Sequence, residues 1–330
     1  MQLIQRVSAM EILDIRHNWS REEIASLFAL PFVRLLYQAL DTHQKYFPGA
    51  PMQISSLLSI KTGSCPEDCA YCAQSSHHKS KIKTQDLLDL ETVIIAAKTA
   101  KANGATRFCM AAAWRFPLEK QFELILEMIK EVKKIGLETC MSLGMLTKSQ
   151  AVALKAADLD YYNHNLDTSP EYYKKIISTR TYDDRINTLK NLRDVGVKIC
   201  CGGIIGMGEG VEDRIGLLHQ LANFPGHPHS VPINYFIPMQ GTPLANVNSI
   251  DPLDFVRVIA VTRILMPRSL IRLAAGREKM SDELQTLCFC AGANSIFCGE
   301  KLLTAKNPAV EKDCQLLQRL GILRCYSERT

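Results

Sequence analysis

The chain has 330 residues, of which 47% are hydrophobic and 22% charged, with a formal net charge of +5 at pH 7. That composition excludes a disordered or fibrous protein, and the length suits one large α/β barrel or two average domains. The positive charge is spread out with no long basic block, and no apolar run approaches bilayer length, so neither a nucleic-acid nor a membrane partner is expected.

Residues 1–17 read as an extension without strong periodicity. They carry Glu11 and Asp14 and lack an apolar segment, so no signal peptide is expected and the setting reads as cytoplasmic. Ser20-Arg21-Glu22-Glu23 is a capping box, and a helix should follow with Ile24, Leu27 and Phe28 on one face. Pro31 resets it before Leu35, Leu36 and Leu40. Residues 1–53 are therefore expected to form an N-terminal extension with helices, and 54–330 a barrel with a C-terminal segment.

From about residue 54, short apolar strands alternate with longer amphipathic helices. The candidate strands are 54–61, 106–112, 138–143, 160–165, 197–204, 231–237, 270–274 and 294–298. Helical patterns include 119–135, 182–195, 211–223 and 251–265. Gly104, Gly136 and Gly196 stand as helix stops just before strands. Eight such units without a linker read as a (β/α)8 TIM-type barrel; a doubly wound open sheet is the alternative. His77, His78, Lys79, Lys81 and Lys83 are the densest cationic cluster and read as a solvated loop. The glycine-rich stretch 202–210 fails the dinucleotide pattern, because position 211 is Val, but still offers a close backbone approach for a ligand.

Twelve cysteines in a reducing compartment point to metal or redox chemistry rather than disulfides. Cys65-Pro66-Glu67-Asp68-Cys69-Ala70-Tyr71-Cys72 has the spacing C-x3-C-x2-C. Three thiolates this close can hold three corners of a cubane iron–sulfur cluster and leave the fourth iron open. An electron carrier normally closes all four corners, whereas an open iron suits an enzyme that binds a small molecule there. A structural zinc site would want a second short-spaced pair of ligands, and none of that kind follows.

Cys109, Cys140 and Cys200 each lie four or five residues after one of the glycine stops. Each sits at a similar height on the second, third or fifth strand. If all three point inward they converge on one layer of the barrel and form a metal site. Buried packing is the competing reading for any one of them. Cys201 should face the other way by strand alternation. Cys288, Cys290, Cys298, Cys314 and Cys325 read as core or surface thiols. Arg272, on the seventh strand, needs a reason to be inside: a carboxylate, a strand end, or an anionic cluster beside it.

The cysteine motif resembles that of the radical S-adenosylmethionine (SAM) enzymes, and Tyr71 before the third cysteine fits it. Further segments resemble the biotin synthases from about Trp19 onward: Ser59–Cys69, Thr106–Met110, Tyr161–Ser169, Val231–Asn234, Ala274–Glu278 and Ala291–Phe297. The resemblance implies a 4Fe-4S cluster on Cys65, Cys69 and Cys72, and a 2Fe-2S cluster on Cys109, Cys140, Cys200 and Arg272, with Arg107 nearby. It implies SAM contacts from Tyr71, Asn165, Asp167 and Arg185, and dethiobiotin contacts from Asn163 and Asn234. The implied reaction converts dethiobiotin to biotin. A 5′-deoxyadenosyl radical from SAM activates carbon, and the 2Fe-2S cluster supplies sulfur. A homodimer and an external electron donor of flavodoxin or ferredoxin type are implied as well. Cys201 and the segment Ile237–Pro243 depart from the family pattern. The other readings are a radical SAM enzyme with a different substrate and a non-catalytic iron–sulfur protein.

Overall fold

The computed structural model describes residues 15–299 and 301–323; the extension over 1–14 and Cys325 lie outside the described residues. Parallel strands close into a barrel of eight staves. In chain order these are β1 (Gln53–Lys61), β2 (Arg107–Ala112), β3 (Glu138–Ser142), β4 (Tyr161–Asn163), β5 (Lys198–Cys200) continued by β6 (Gly203–Ile205), β7 (Ser230–Tyr235), β8 (Leu270–Leu273) and β9 (Ser295–Phe297). One seam joins β9 to β1 at Ser295–Gln53 and Ile296–Ile54. The other joins Cys200 to Ser230 and runs β6 along β7. Both seams are closed, so the (β/α)8 reading holds and the open-sheet alternative fails. A two-stranded hairpin, β10 (Lys301–Leu302) with β11 (Ala305–Lys306), follows the last stave.

Helices α1 (Arg21–Phe28) and α2 (Phe32–Tyr46) precede the barrel. Around it lie α3 (Leu90–Ala102), α4 (Glu119–Lys134), α5 (Lys148–Ala156), α6 (Pro170–Ile176), α7 (Tyr182–Asp194), α8 (Val211–Ala222), α9 (Pro252–Leu265) and α10 (Asp282–Cys290), with α11 (Val310–Arg319) after β11. The start signal read at Ser20 holds, since Ser20 and Glu23 form a reciprocal capping box; Thr147 and Thr181 begin their helices with the same box, and Asp89 caps α3 by its side chain alone. The stop signals hold too, since Gly104, Gly136 and Gly196 have φ of 85°, 84° and 73°. Pro31 breaks α1 from α2, which meet at 114° and pack on α8 and α9. Among the described residues no single helix is long and apolar enough to cross a membrane; only this bent pair passes, on length and composition.

One expected strand, 197–204, is broken in two. At Gly202 the neighbouring stave comes so close that an added Cβ would lie 1.9 Å from the Pro232 carbonyl oxygen. The close approach anticipated for this glycine segment is therefore made, at Gly202, by the protein's own backbone.

Period-two alternation sorts the strand side chains into two layers. Phe108, Met110, Met141, Tyr162, Ile199, Cys201, Ile271 and Leu273 face outward into the strand–helix core. Cys109, Cys140, Tyr161 and Cys200 face inward as a separate cluster. Cys201 thus points away from Cys200, as alternation requires.

Beyond β8 a buried ion pair organises the C-terminal elements. Arg277, 1% exposed, donates to Gln285 Oε1 on α10 (3.1 Å), the Phe297 carbonyl ending β9 (2.7 Å) and Asp313 on α11 (3.1 Å). Asp313→Ala strips a buried guanidinium of its carboxylate. Equilibrium urea unfolding should show a loss of about 3–5 kcal/mol.

Candidate active site

The chain leaves β1 at the C-terminal rim of the barrel and forms the three-cysteine loop there. Thr62 and Gln85 bridge its base, and the Cys65 N–H donates to the Gln74 carbonyl at 2.9 Å. Cys69 is buried; Cys65 and Cys72 are half-buried. All three line a cavity of about 350 Å³ with Tyr71, Asn163, His164, Asn165, Asp167, Arg180, Arg185 and Asn234. Burial pushes all three thiols up, Cys72 to about 12, with the Arg180 guanidinium beside Cys69 opposing it there. Neutral thiols in a dry wall need a cation to become ligands.

The acidic residues between the cysteines fasten this loop to the segment before α7. Asp68 accepts from the backbone N–H of Ser178 (3.0 Å) and Thr179 (3.2 Å). Glu67 is 2% exposed and accepts from the Thr179 hydroxyl, with Arg115 at 3.4 Å and Arg180 at 3.9 Å. Arg180 in turn donates to Cys69 Sγ at 3.7 Å.

Asp167 is the second node. It follows β4, has a left-handed φ of 68°, and its carbonyl accepts from the Ile204 N–H at 2.8 Å. Its Oδ2 accepts from the Tyr71 hydroxyl and from Arg185 Nη2. Arg185, 3% exposed, also donates from Nε to the Tyr173 hydroxyl (2.8 Å) and from Nη1 to the Asn165 carbonyl. His164 lines the same cavity, and its ring nitrogen Nε2 is buried without a partner. Burial, then Arg185 and Arg180, pushes that imidazole well below its usual range, so it is neutral.

A smaller cavity of about 120 Å³ lies deeper, lined by Cys109, Cys140 and Arg272. Cys109 and Cys140 are register partners on β2 and β3, and Asn163 pairs with Cys200 on β4 and β5. Asn163 Nδ2 donates to Cys200 Sγ at 3.3 Å. The thiols share protons: hydrogen bonds to Cys109 and Cys200 hold Cys140 protonated, and the same contact with Cys140, then Arg272, pulls Cys200 down to about 5. Arg272 is 1% exposed and donates to Ser295 Oγ (2.9 Å), Ser55 Oγ (2.9 Å) and Gln53 Oε1 (3.2 Å), all neutral acceptors. Arg107 lies below, 3.5 Å over the Tyr161 ring and paired with Glu138 at 2.9 Å, with Nη1 buried and unpartnered.

Among the described residues no three His, Cys, Asp or Glu side chains converge as ligands of a single metal ion. A cluster imposes a different demand, since each thiolate takes its own iron. The donor set suits such groups: three thiols around the upper cavity, and three thiols with an uncompensated guanidinium around the lower one. An anionic cluster there would supply the negative charge that Arg272 lacks and an acceptor for Arg107 Nη1.

Every site residue read from the sequence lines one of the two cavities or contacts a residue that does. Arg180, Glu67 and Arg115 were missed. Their bonds to the cysteine loop or to the 178–180 segment span up to 112 residues of sequence, so no local pattern announces them. Cys288 is buried in the outer core, and Cys290 lines a groove at the opposite end of the barrel, near Met52.

Residues 59–221 match the family model of the radical SAM superfamily, and residues 232–323 match the biotin and thiamin synthesis associated domain. A closed parallel barrel with three cysteines on the loop after its first strand is that of a radical SAM enzyme. Solved structures agree on the fold. Methylornithine synthase (PylB) superposes with a TM-score of 0.77 at 20% identity, covering 92% of this chain and 94% of that one. HydG from Carboxydothermus hydrogenoformans, a FeFe-hydrogenase maturase, gives 0.81 at 18%, covering 94% and 77%. Sequence relatives are nearer. The biotin synthase of Hahella chejuensis is 59% identical over 308 residues, 93% of this chain and 87% of that one. That of Coxiella burnetii is 59% identical over 305 residues, 92% and 95%. The chain belongs to the biotin synthase family.

The Asp68 anchor is pH-dependent. Burial raises its pKa, but hydrogen bonds from Ser178 and Thr179 outweigh that and hold the carboxyl at about 2, below its usual 3.8. A depressed carboxyl stabilises the fold above the unfolded value and ceases to do so as pH falls through the folded one. Thermal melts of the apoprotein should show wild type more stable than Asp68→Asn at pH 6. The two should converge as pH drops from about 4 toward about 2.

Proposed function

We propose that this enzyme converts dethiobiotin to biotin by inserting one sulfur atom between two unactivated carbons. The observation that carries the reading is the stacking of two thiol-lined cavities that share Leu57, Asn163, Asn165, Asn234 and Phe297 as a common wall. A substrate held at that junction would face one group from above and another from below.

Cys65, Cys69 and Cys72 would hold a 4Fe-4S cluster, and Cys109, Cys140, Cys200 and Arg272 a 2Fe-2S cluster. When bound, the upper cluster with SAM supplies a carbon-centred oxidant strong enough for an unactivated C–H bond, and the lower cluster supplies sulfide. The chain's own residues position and seal the reactants. Asp167 uses Oδ2 for Tyr71 and Arg185, which leaves Oδ1 for a ribose hydroxyl of SAM. Arg185 spends one N–H per nitrogen on Tyr173, Asn165 and Asp167, which leaves one on each Nη for the methionyl carboxylate. Asn165 is held by the Gly202 N–H at 3.1 Å and forms the floor between these groups and the junction.

The two substrate amides are complementary. Asn163 commits Nδ2 to Cys200 and Asn165, which leaves its carbonyl oxygen as an acceptor for a ureido N–H. Asn234 accepts from the Ala275 N–H (3.1 Å) and donates once to the Gly203 carbonyl (2.9 Å), which leaves one N–H for a ureido carbonyl. An acceptor and a donor on opposing walls match a cyclic urea. The reading also takes the protein as a homodimer served by an external one-electron carrier.

The direct test is anaerobic. Protein reconstituted with iron and sulfide is reduced in the presence of SAM and dethiobiotin, and biotin and 5′-deoxyadenosine are measured by mass spectrometry. Both products are expected. Deoxyadenosine alone, from protein with both clusters intact, would overturn the substrate. Cys109→Ala should abolish biotin formation and the 2Fe-2S absorbance, with the 4Fe-4S signal and part of the SAM cleavage retained. Wild-type biotin output from that variant would sink the sulfur-donor assignment. Asp167→Asn removes a charged acceptor from the SAM wall. Equilibrium dialysis should show SAM bound about ten- to a hundredfold more weakly, the loss expected for one charge-assisted hydrogen bond.

A further inference from the structure

The basic stretch that follows the cysteine loop takes no part in the chemistry above. Between Gln74 and Gln85 the chain carries His77, His78, Lys79, Lys81 and Lys83 and no carboxylate. The three lysines are exposed on a loop without regular structure. This loop is stitched to the back of the cysteine loop. Nε2 of His77 donates to the Pro66 carbonyl and Nε2 of His78 to the Cys69 carbonyl, each at 3.0 Å. The Ser80 hydroxyl donates to the Ala73 carbonyl. The outer face is therefore one hydrogen bond from the backbone of a proposed cluster ligand.

A second element extends the same charge. Lys83 and Lys301 line one side cavity of about 460 Å³, and Lys301 stands opposite Lys306 across the β10–β11 hairpin. Like charges opposed on a hairpin destabilise it, so this pairing calls for an external counter-charge. Among the described residues the lysines in ion pairs are Lys45, Lys133 and Lys134, none of them here. The loop 237–250, whose Gly241 packs on the Lys79 carbonyl, carries no charged side chain. The nearest acids in sequence are Asp86, which is exposed, and Glu300, which lies outside the described residues.

We infer that His77 to Lys83, with Lys301 and Lys306, forms the docking surface for a small acidic one-electron carrier protein. The inference rests on the reading that Cys65, Cys69 and Cys72 hold a redox cluster. One electron leaves the carrier's reduced prosthetic group and enters that cluster; the carrier is oxidised by one electron, and no atom is transferred. A net-positive surface of this kind speeds encounter with an oppositely charged partner and loses its effect as salt screens it. A nucleic acid is the poorer fit, because neither 74–85 nor 301–306 contains a Phe, Tyr or Trp on which a base could stack.

The test uses the full reconstituted chain with a flavodoxin as the acidic probe. Affinity for oxidised flavodoxin is measured by calorimetry at low and high salt. Cluster reduction is followed by stopped-flow absorbance with reduced flavodoxin, and separately with photoreduced deazaflavin, which needs no docking. K79E/K81E/K83E should weaken binding and slow flavodoxin-driven reduction on the order of tenfold or more at low salt. Deazaflavin-driven reduction and SAM cleavage should be unchanged. K301E/K306E, on a separate element, should act in the same direction to a smaller extent. Unchanged flavodoxin affinity in both variants, equal slowing with both reductants, or tighter binding of a DNA duplex than of flavodoxin would overturn the inference. If deazaflavin reduces no cluster in the wild-type chain, the cluster reading itself fails and this one falls with it.

Discussion

A guanidinium without a carboxylate, buried among thiols, is the constraint around which this barrel is arranged. Arg272 is enclosed, and the hydrogen bonds it makes go to Ser295, Ser55 and Gln53, none of which carries charge. An isolated buried cation is costly, and neutral acceptors offset only part of that cost. Cys109, Cys140 and Cys200 face the same space, and Cys200 already leans toward the thiolate. The interior is thus prepared for negative charge rather than filled with aliphatic side chains.

That choice shifts the burden of stability to the outer layer. An inner ring of Val, Ile and Leu would normally help hold such a barrel together. Here several inward positions carry Gln53, Ser55, Arg107, the three cysteines, Asn163 and Arg272. The compensating apolar contacts lie between the staves and the helices, where Phe108, Met110, Met141, Tyr162 and Ile271 are all buried. The C-terminal elements are held separately, through Arg277 and Asp313.

The rim follows the same electrostatic logic in reverse. Its cysteines are held neutral by burial, and cations approach them from the side: Arg180 near Cys69, and Arg185 across Asp167 from Tyr71. Glu67 and Asp68 balance part of that charge and fasten the loop to Thr179. The two cavities are therefore different in kind. The upper one is wide and open to the rim; the lower one is narrow and closed by β2, β3 and Arg272. Asn163 belongs to both, with one amide spanning the cysteine of the lower site and the asparagine of the upper one.

Much of this was legible along the chain. The alternation of apolar strands and capped helices determined eight strand–helix units, because period two and glycine stops are local properties of backbone and side chain; the two closed seams then decided the barrel over the open sheet. The C-x3-C-x2-C spacing determined one thiol site for the same reason: the ligands lie within eight residues. The matched heights of Cys109, Cys140 and Cys200 indicated a second, provided the strands were in register, and β2 and β3 pair Cys109 with Cys140 directly. What only the tertiary structure decided were the contacts made across the ring. The break of the fifth stave at Gly202 depends on how near Pro232 comes. Arg180 reaches Cys69 of the cysteine loop, and Glu67 of that loop reaches Thr179, each across more than a hundred residues. Whether Arg272 met a carboxylate or a ring of hydroxyls and amides depended on which residues of β1 and β9 faced it. Closure of the barrel brings those strands together, and no local pattern encodes that proximity.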